Sequence, residues 1–247
     1  MIVYGVHTVG EALRAGRVKR LKVGPRSDAK LNDLLSLAAK RGVPVSRVDA
    51  DVLERDSRHG VHQGVIAELI PPRDFSVAEL VRGVSVEGRA RAVPLLVVLD
   101  GVEDPHNVGA VLRSVDAAGG SGVIRQTRRA AALDTAAAKA SAGAIAHVPV
   151  ADVVNVARAV DELKQLGVWA VGLAGDAAQT YDSIDLTVPV AFVLGNEGAG
   201  LRRLVREKCD FLVSIPMAGH VDSLNVSVAA GVVLFEALRQ RRGAVPG

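Results

Sequence analysis

The chain has 247 residues, a formal net charge of +3, 49% hydrophobic residues and 23% charged residues, which allows one or two domains with a sizeable core. It contains no run of about 18 uninterrupted apolar residues, so we expect no transmembrane helix, and its first apolar residues precede its positive charges, the reverse of a signal peptide. A single cysteine, Cys209, excludes an internal disulfide and a cysteine-based zinc site within one chain, and we expect a soluble cytoplasmic protein.

Residues 1–70 are predicted to form a compact α/β unit. Periodicity predicts strands at Leu21–Val23, Val43–Val48 and Val65–Ile70, and helices at Thr8–Ala15 and Ala29–Arg41. Residues 1–93 carry 16 Lys and Arg against 11 Asp and Glu, whereas residues 94–247 carry 14 against 16. The basic excess is therefore N-terminal, where it indicates either a solvated face or a surface for nucleic-acid phosphates.

A break follows at residues 71–93, which are rich in Pro and Gly and hold few apolar residues apart from one short potential helix. We expect a linker there. From Pro94 onwards, apolar strands alternate with helices, which predicts a parallel sheet covered on both faces. The predicted strands are Leu95–Leu99, Gly122–Ile124, Val148–Val150, Val168–Leu173, Val190–Leu194 and Phe211–Ile215. The predicted helices are Asn107–Ala118, Ala130–Ala140, Val153–Leu166, Gly200–Lys208 and Leu224–Arg241.

The first of three segments that could carry chemistry is Leu99–Ser114, where a buried strand ends in a polar loop and opens a helix. Ligands bind at such strand ends in open α/β sheets. The helix has one apolar stripe, and at about 100° per residue Arg113 lies almost opposite that stripe. Arg113 is therefore either a solvated surface residue or a functional one, and Asn107 is either a helix cap or a site residue.

The other two segments follow later strands of the predicted sheet. Val193–Leu201 holds three glycines in six residues, which allows a ligand to approach the backbone closely. Its spacing matches neither the dinucleotide fingerprint nor a phosphate-binding loop. Ser214–Val228 passes through Pro and Gly into a helix whose first turn holds Ser223, Asn225 and Ser227, and a single helix cap would use only one of these three.

Other reactive residues do not form a typical catalytic or metal site. The six histidines are scattered without the i, i+4 partner of a helix-borne metal pair, so we expect no metal. A Ser-His-Asp triad would lack the G-x-S-x-G turn. The cluster of Arg125, Arg128 and Arg129 indicates a solvated loop, with contact to an RNA backbone as the alternative.

In order and spacing, the three segments resemble the motifs of the SpoU (TrmH) family of RNA 2′-O-ribose methyltransferases. The matching stretches are Asp-Pro-His-Asn-Val-Gly-Ala…Leu-Arg-Ser within Asp100–Ser114, Gly-Asn-Glu-Gly within Leu194–Leu201, and Ile-Pro-Met…Ser-Leu-Asn-Val-Ser within Ile215–Val228. Tyr4–His7 and Gly60–Gly64 look like the substrate-binding domain of the members that methylate a guanosine ribose in the peptidyl-tRNA loop of large-subunit (23S) ribosomal RNA. The resemblance spans nearly the whole chain.

The resemblance implies an α/β fold in which a parallel sheet ends in a deep C-terminal trefoil knot. It also implies S-adenosylmethionine as methyl donor, ribosomal RNA as substrate and a homodimer. The implied units are an RNA-binding domain at 1–70, a linker at 71–93 and a methyltransferase domain at 94–247. The implied cofactor contacts are Leu194, Gly195, Ile215, Met217 and Leu224. The implied catalytic cluster is Asn107, Arg113, Glu197, Ser223 and Asn225.

In the family, the proposed activator of the ribose 2′-OH corresponds to Arg113. A guanidinium has no lone pair with which to accept a proton. Arg113 is therefore better suited to stabilise a developing alkoxide and to clamp an RNA phosphate, which leaves Glu197 or a phosphate oxygen to take the proton.

Three alternative functions are weighed against ribosomal RNA methylation. A transfer-RNA ribose methyltransferase is disfavoured by the separate N-terminal unit. A non-catalytic RNA-binding protein on the same fold is disfavoured by the intact motif residues. A nicotinamide-dependent enzyme lacks its glycine fingerprint.

Overall fold

The computed structural model describes residues 2–25, 28–58, 60–70, 75–83, 93–127 and 135–244, which form two β-sheets flanked by helices. The strands are β1 (Ile2–Tyr4), β2 (Val18–Val23), β3 (Val45–Arg47), β4 (Val65–Leu69), β5 (Leu95–Asp100), β6 (Gly122–Gln126), β7 (Val150–Val153), β8 (Trp169–Leu173), β9 (Gln179–Thr180), β10 (Val190–Gly195) and β11 (Phe211–Ser214). The helices are α1 (Val6–Arg14), α2 (Ala29–Lys40), α3 (Ala50–Asp56), α4 (Val77–Arg82), α5 (Pro105–Ala117), α6 (Thr135–Ala140), α7 (Val156–Gln165), α8 (Arg203–Lys208) and α9 (Val226–Ala244). Within these ranges, no helix is long and apolar enough to cross a membrane.

The first sheet contains four strands in the order β1-β4-β2-β3. Strand β4 is antiparallel to β1 and β2, and β3 runs parallel to β2. Helices α1 and α2 pack against each other and bury Leu13, Leu31 and Leu34. The predicted strands and helices of this region are confirmed. Strand β1 and helix α3 were not predicted, because three residues and a seven-residue polar stretch are too short for periodicity to indicate either element.

The second sheet contains seven strands in the order β7-β6-β5-β10-β8-β11-β9, and every pair in it is parallel. Helices α5, α6 and α9 cover one face, against Leu95, Val97 and Leu99 of β5. Helices α4, α7 and α8 cover the other face, against Leu96 and Val98. The predicted parallel sheet with two covered faces is thus confirmed.

The segment predicted as a linker contains a packed helix. Residues 71–74 and 84–92 lie outside the described residues, but α4 between them buries Val77 and Leu80 in the core beneath the second sheet. Ser76 and Glu79 close its first turn with a reciprocal capping box. The expectation that this segment lacks apolar anchors is therefore corrected, because two apolar residues at i and i+3 suffice to bury one face of a short helix.

Candidate active site

The three segments singled out in the sequence converge at the carboxyl ends of neighbouring strands. Gly195, at the end of β10, pairs with Asp100, at the end of β5. The next strand across from β10 is β8, and β11 follows β8 in the sheet. A cavity of about 350 Å³ opens at this edge, between the ends of β8, β10 and β11 and the start of α9.

The cavity wall contains every residue that the motif match assigns to the cofactor. These residues are Leu194, Gly195, Ile215, Met217 and Leu224. Leu173, Ala174 and Gly175, at the end of β8, complete the wall. These three residues were not predicted, because an apolar strand end followed by small residues carries no chemical signal.

Asn107, Glu197 and Asn225 form one hydrogen-bonded cluster beside the cavity. Asn107 Nδ2 donates to Glu197 Oε1. Asn225 Nδ2 lies 3.0 Å from Asn107 Oδ1 and 2.9 Å from Glu197 Oε1, and it donates to both. Asn107 is buried, whereas Glu197 lines the cavity and is open to solvent. Three segments distant in sequence therefore meet at one carboxylate.

Helix capping explains less of this cluster than the sequence suggested. Asp104 caps α5 by accepting from the His106 N–H at 2.9 Å, so Asn107 lies inside the first turn and is not the cap. Asn225 does cap α9, because its Oδ1 accepts from the backbone N–H of Ser227 at 2.9 Å and from the Ser227 hydroxyl at 2.6 Å. Its amide nitrogen remains available for the cluster.

Ser223 and Arg113 lie apart from these three residues. Ser223 lines the cavity, and its hydroxyl donates to Asp222 Oδ1 at 3.2 Å. Arg113 is exposed on α5, does not line the cavity, and has no hydrogen-bond or ion-pair partner in the described part of the chain. The structure thus brings together three of the five implied catalytic residues, adds Ser223 on the wall, and leaves Arg113 on the surface.

Position 195 must be glycine, because the backbone of the following loop leaves no space for a side chain. A Cβ atom there would lie 2.1 Å from the Gly200 carbonyl carbon, because the chain folds back over the end of β10. The Asn196 and Gly200 backbones bridge each other, with N–H to O distances of 3.1 Å and 2.8 Å. We call residues 196–201 the glycine loop.

A buried ion pair, not predicted from the sequence, joins the end of β5 to Arg202, which directly follows the glycine loop. The Asp100 side chain is fully buried. It accepts from the Arg202 backbone N–H at 2.9 Å, from Arg202 Nε at 2.6 Å, and from Arg202 Nη2. An acidic residue that ends a fully apolar strand was the available signal, because a buried carboxylate needs a partner.

In the part of the chain that the structure describes, neither Cys209 nor Arg125 lines the cavity. Burial raises the pKa of the Cys209 thiol to about 12, so Cys209 is not a thiolate nucleophile at neutral pH. Arg125 pairs with Asp152 at 2.7 Å, and Arg128 and Arg129 of the predicted basic cluster lie outside the described residues.

Comparison with known proteins adds independent findings. Residues 94–235 match the SpoU rRNA methylase family, and residues 2–75 match the RNA 2′-O ribose methyltransferase substrate-binding domain. The chain is 48% identical over 244 residues to the 23S rRNA (guanosine-2′-O-)-methyltransferase RlmB of Pseudomonas putida, which covers 97% of this chain and 96% of that protein.

Solved structures with a fold similar to that of this chain include the following two. The SpoU methyltransferase AviRb from Streptomyces viridochromogenes, in complex with AdoMet, has a TM-score of 0.82 and 27% identity, covering 99% of this chain and 91% of that one. The A. aeolicus TrmH/SpoU tRNA modifying enzyme has a TM-score of 0.56 and 28% identity, covering 68% of this chain and 81% of that one.

Proposed function

The chain belongs to the SpoU rRNA methylase family, and we propose that it transfers a methyl group from S-adenosylmethionine to the 2′-oxygen of a guanosine ribose in 23S ribosomal RNA. The observation that carries this proposal is the cluster of Asn107, Glu197 and Asn225 beside a cavity lined by all five cofactor-motif residues. We further propose the peptidyl-tRNA loop as the target and the cytoplasm as the place of action.

The cavity suits S-adenosylmethionine in both size and charge. Its volume falls within the range of small-molecule sites, roughly 300–1,000 Å³. Its described wall holds the carboxylates of Glu197 and Asp222 and no Lys or Arg. Such a wall favours a ligand with a positively charged sulfur. When bound, this cofactor supplies an electrophilic methyl group.

Glu197 is our candidate for the proton acceptor. Its Oε1 accepts from two amide groups, which hold the carboxylate in one orientation. Its Oε2 has no partner in the described part of the chain, so it is available to a ribose 2′-OH. The hydroxyl proton would pass to Glu197 Oε2 as the 2′-oxygen takes the methyl group, whose bond to the cofactor's sulfur breaks with the electron pair kept by the sulfur. Holding the hydroxyl in line with the methyl group supplies much of the rate.

Arg113 and Ser223 would complete the site. We propose that Arg113, from the surface, stabilises the developing charge and clamps an RNA phosphate with its planar fork, while Ser223 orients the ribose. Arg113→Lys keeps the charge and loses the fork, so we expect at least a tenfold loss of turnover in a methyl-transfer assay. Near-normal turnover would refute the clamp.

Our proposal of ribosomal RNA, and not transfer RNA, as the substrate depends on the N-terminal third of the chain. We propose that residues 1–70 bind RNA, that 71–93 connect the units and that 94–247 carry methyl transfer. The family matches at 2–75 and 94–235 agree with this division, and the basic excess lies in the first part. The A. aeolicus tRNA modifying enzyme covers 68% of this chain, so part of this chain has no counterpart in that match.

We also propose a C-terminal trefoil knot and a homodimer. Support for the knot is the strand order, in which β10 enters between β5 and β8, and β11 lies beyond β8. Support for the dimer is α9, where Val228 and Phe235, seven residues apart on one face, are 51% and 49% exposed. Phe235→Glu should yield a monomer in sedimentation velocity, with Arg158→Glu, exposed on α7 at the opposite face of the sheet, as the control. A dimer that survives Phe235→Glu contradicts this interface.

The function is tested by mass spectrometry of ribosomal RNA from cells with and without the gene. We expect one 2′-O-methylguanosine of the large-subunit RNA to disappear with the gene. An unchanged ribosomal profile with a missing transfer-RNA ribose methylation would favour the transfer-RNA reading. Calorimetry with S-adenosylmethionine tests the alternative of a non-catalytic RNA-binding protein, because such a protein would give no heat of binding.

A further inference from the structure

We propose that Arg202 is a positioning residue, which holds the glycine loop so that Glu197 meets the two asparagines. The kinetic part of this proposal rests on the proposed function, whereas the positioning itself does not. Arg202 directly follows the loop, and Glu197 is the second residue within it. A small displacement of a catalytic group can cost about a hundredfold in rate.

Arg202 ties the far end of the glycine loop to two strands of the sheet. Its backbone N–H and its guanidinium both bind the Asp100 carboxylate, at the end of β5. Its Nη2 also donates to Gln126 Oε1, at the end of β6, at 2.7 Å. One side chain therefore joins the loop to the ends of β5 and β6.

The near end of the loop is tied to the same place. Asn196 Nδ2 donates to the Gly101 carbonyl oxygen at 2.8 Å, one residue beyond Asp100. Asn196 Oδ1 accepts from the Gly198 N–H at 3.1 Å. Both ends of the loop are thus anchored to the end of β5, from which the chain leads directly into α5 and Asn107.

The pair of Asp100 and Arg202 is suited to orient the glycine loop and not only to neutralise a buried charge. The Asp100 side chain is 0% exposed, so its carboxyl oxygens need donors from the protein, which Arg202 supplies, while the Arg202 side chain is 51% exposed and keeps part of its hydration. A guanidinium binds a carboxylate through a planar fork and can serve a second acceptor at the same time. A lysine ammonium at this position would keep the charge but not the orientation.

The test compares Arg202→Lys and Arg202→Gln with Arg203→Gln as a matched control. Arg203 is the next residue, its side chain is 77% exposed, and it pairs with Glu207 on its own helix. We expect kcat to fall at least tenfold in both Arg202 variants, with the Kd for S-adenosylmethionine within threefold of wild type. Among the cofactor residues, Leu194 and Gly195 are held by the pairing of β10 with β5, and Ile215, Met217 and Leu224 lie outside the glycine loop that Arg202 anchors. Arg203→Gln should stay within twofold in kcat.

Hydrogen exchange supplies a readout that does not depend on activity. Amides of residues 196–201 should exchange at least fivefold faster in Arg202→Lys than in wild type or Arg203→Gln, while amides of β5 and β10 keep their protection. Gln126→Ala, which removes only the contact to β6, is the milder variant if Arg202→Gln does not fold, and it should give an intermediate loss of kcat.

The proposal is overturned if Arg202→Lys keeps kcat within twofold, if Arg203→Gln loses as much, or if loop exchange is unchanged. A wild-type protein without methyl transfer to 23S RNA overturns the proposed function instead. In that case the exchange rates alone still decide whether Arg202 holds the loop.

Discussion

Replacing Asn107 with Asp tests the cluster with the smallest change of shape. In the wild-type chain, Asn107 Nδ2 donates to Glu197 Oε1, and Asn225 donates to both partners. The substitution exchanges one amide nitrogen for an oxygen, and a donor becomes a second carboxylate that faces Glu197. At neutral pH two like charges would then stand at hydrogen-bond distance.

The size of the effect follows from this separation. Two unit charges about 3 Å apart repel by about 5 kcal/mol at an effective dielectric constant of about 20. Glu197 is open to solvent, which screens this repulsion, so we expect a loss of about 1–3 kcal/mol in the free energy of unfolding. For a chain of this length, that loss lowers Tm by about 2–12 °C.

The loss of unfolding free energy should increase as pH rises. At low pH the two carboxyl groups share one proton, which restores a hydrogen bond between them. The folded variant therefore holds this proton more tightly than the unfolded chain does. Stability relative to wild type is kept at low pH and lost as pH rises and the proton leaves.

Calorimetric unfolding at pH 5 and pH 8 measures this difference. The gap in Tm between wild type and Asn107→Asp should be at least twice as large at pH 8 as at pH 5. Asn107→Ala is the control, because it removes the same donor without adding a charge. Its difference in Tm from wild type should be the same at pH 5 and pH 8. An equal gap at both pH values for Asn107→Asp would refute the contact between Asn107 and Glu197.

Three further predictions concern the surroundings of the site. Gly195→Ala places a Cβ against the backbone of the glycine loop, so calorimetry should show S-adenosylmethionine binding at least tenfold weaker, whereas Gly198→Ala, whose Cβ meets nothing within 4 Å, should bind within threefold of wild type. Because burial raises the pKa of Cys209 to about 12, iodoacetamide at pH 8 should alkylate the native protein at least a hundredfold more slowly than the unfolded chain, and equal rates would contradict that burial. Arg241 donates to four backbone carbonyl oxygens, and burial lowers its pKa, so Arg241→Leu should cost about 2–4 kcal/mol of unfolding free energy. Urea denaturation would measure it, and a similar loss in the exposed control Arg242→Leu would contradict this assignment.

Local patterns in the sequence were sufficient to predict the architecture. Uninterrupted apolar runs such as Leu95–Leu99 predicted a buried parallel strand, and each of its residues packs against one of the two helical layers. The cofactor-motif residues were implied by the resemblance to the family, and all five line one cavity. Where the pattern was short, as in β1 and α4, the prediction missed an element or took a packed helix for a linker, because two or three apolar residues do not establish a period.

The sequence by itself indicated, through its match to the family motifs, which residues could carry chemistry, and only the tertiary structure decided which of them meet. Asn107 and Asn225 are 118 residues apart, and Arg202 and Asp100 are 102 apart. The second contact exists because β10 pairs with β5, and the first because α9 packs against α5. Both arrangements belong to the whole fold, and no local periodicity encodes them. Arg113 lies on the surface because helical periodicity places it opposite the buried stripe of α5, whereas Asn107, six residues earlier, lies in the cluster.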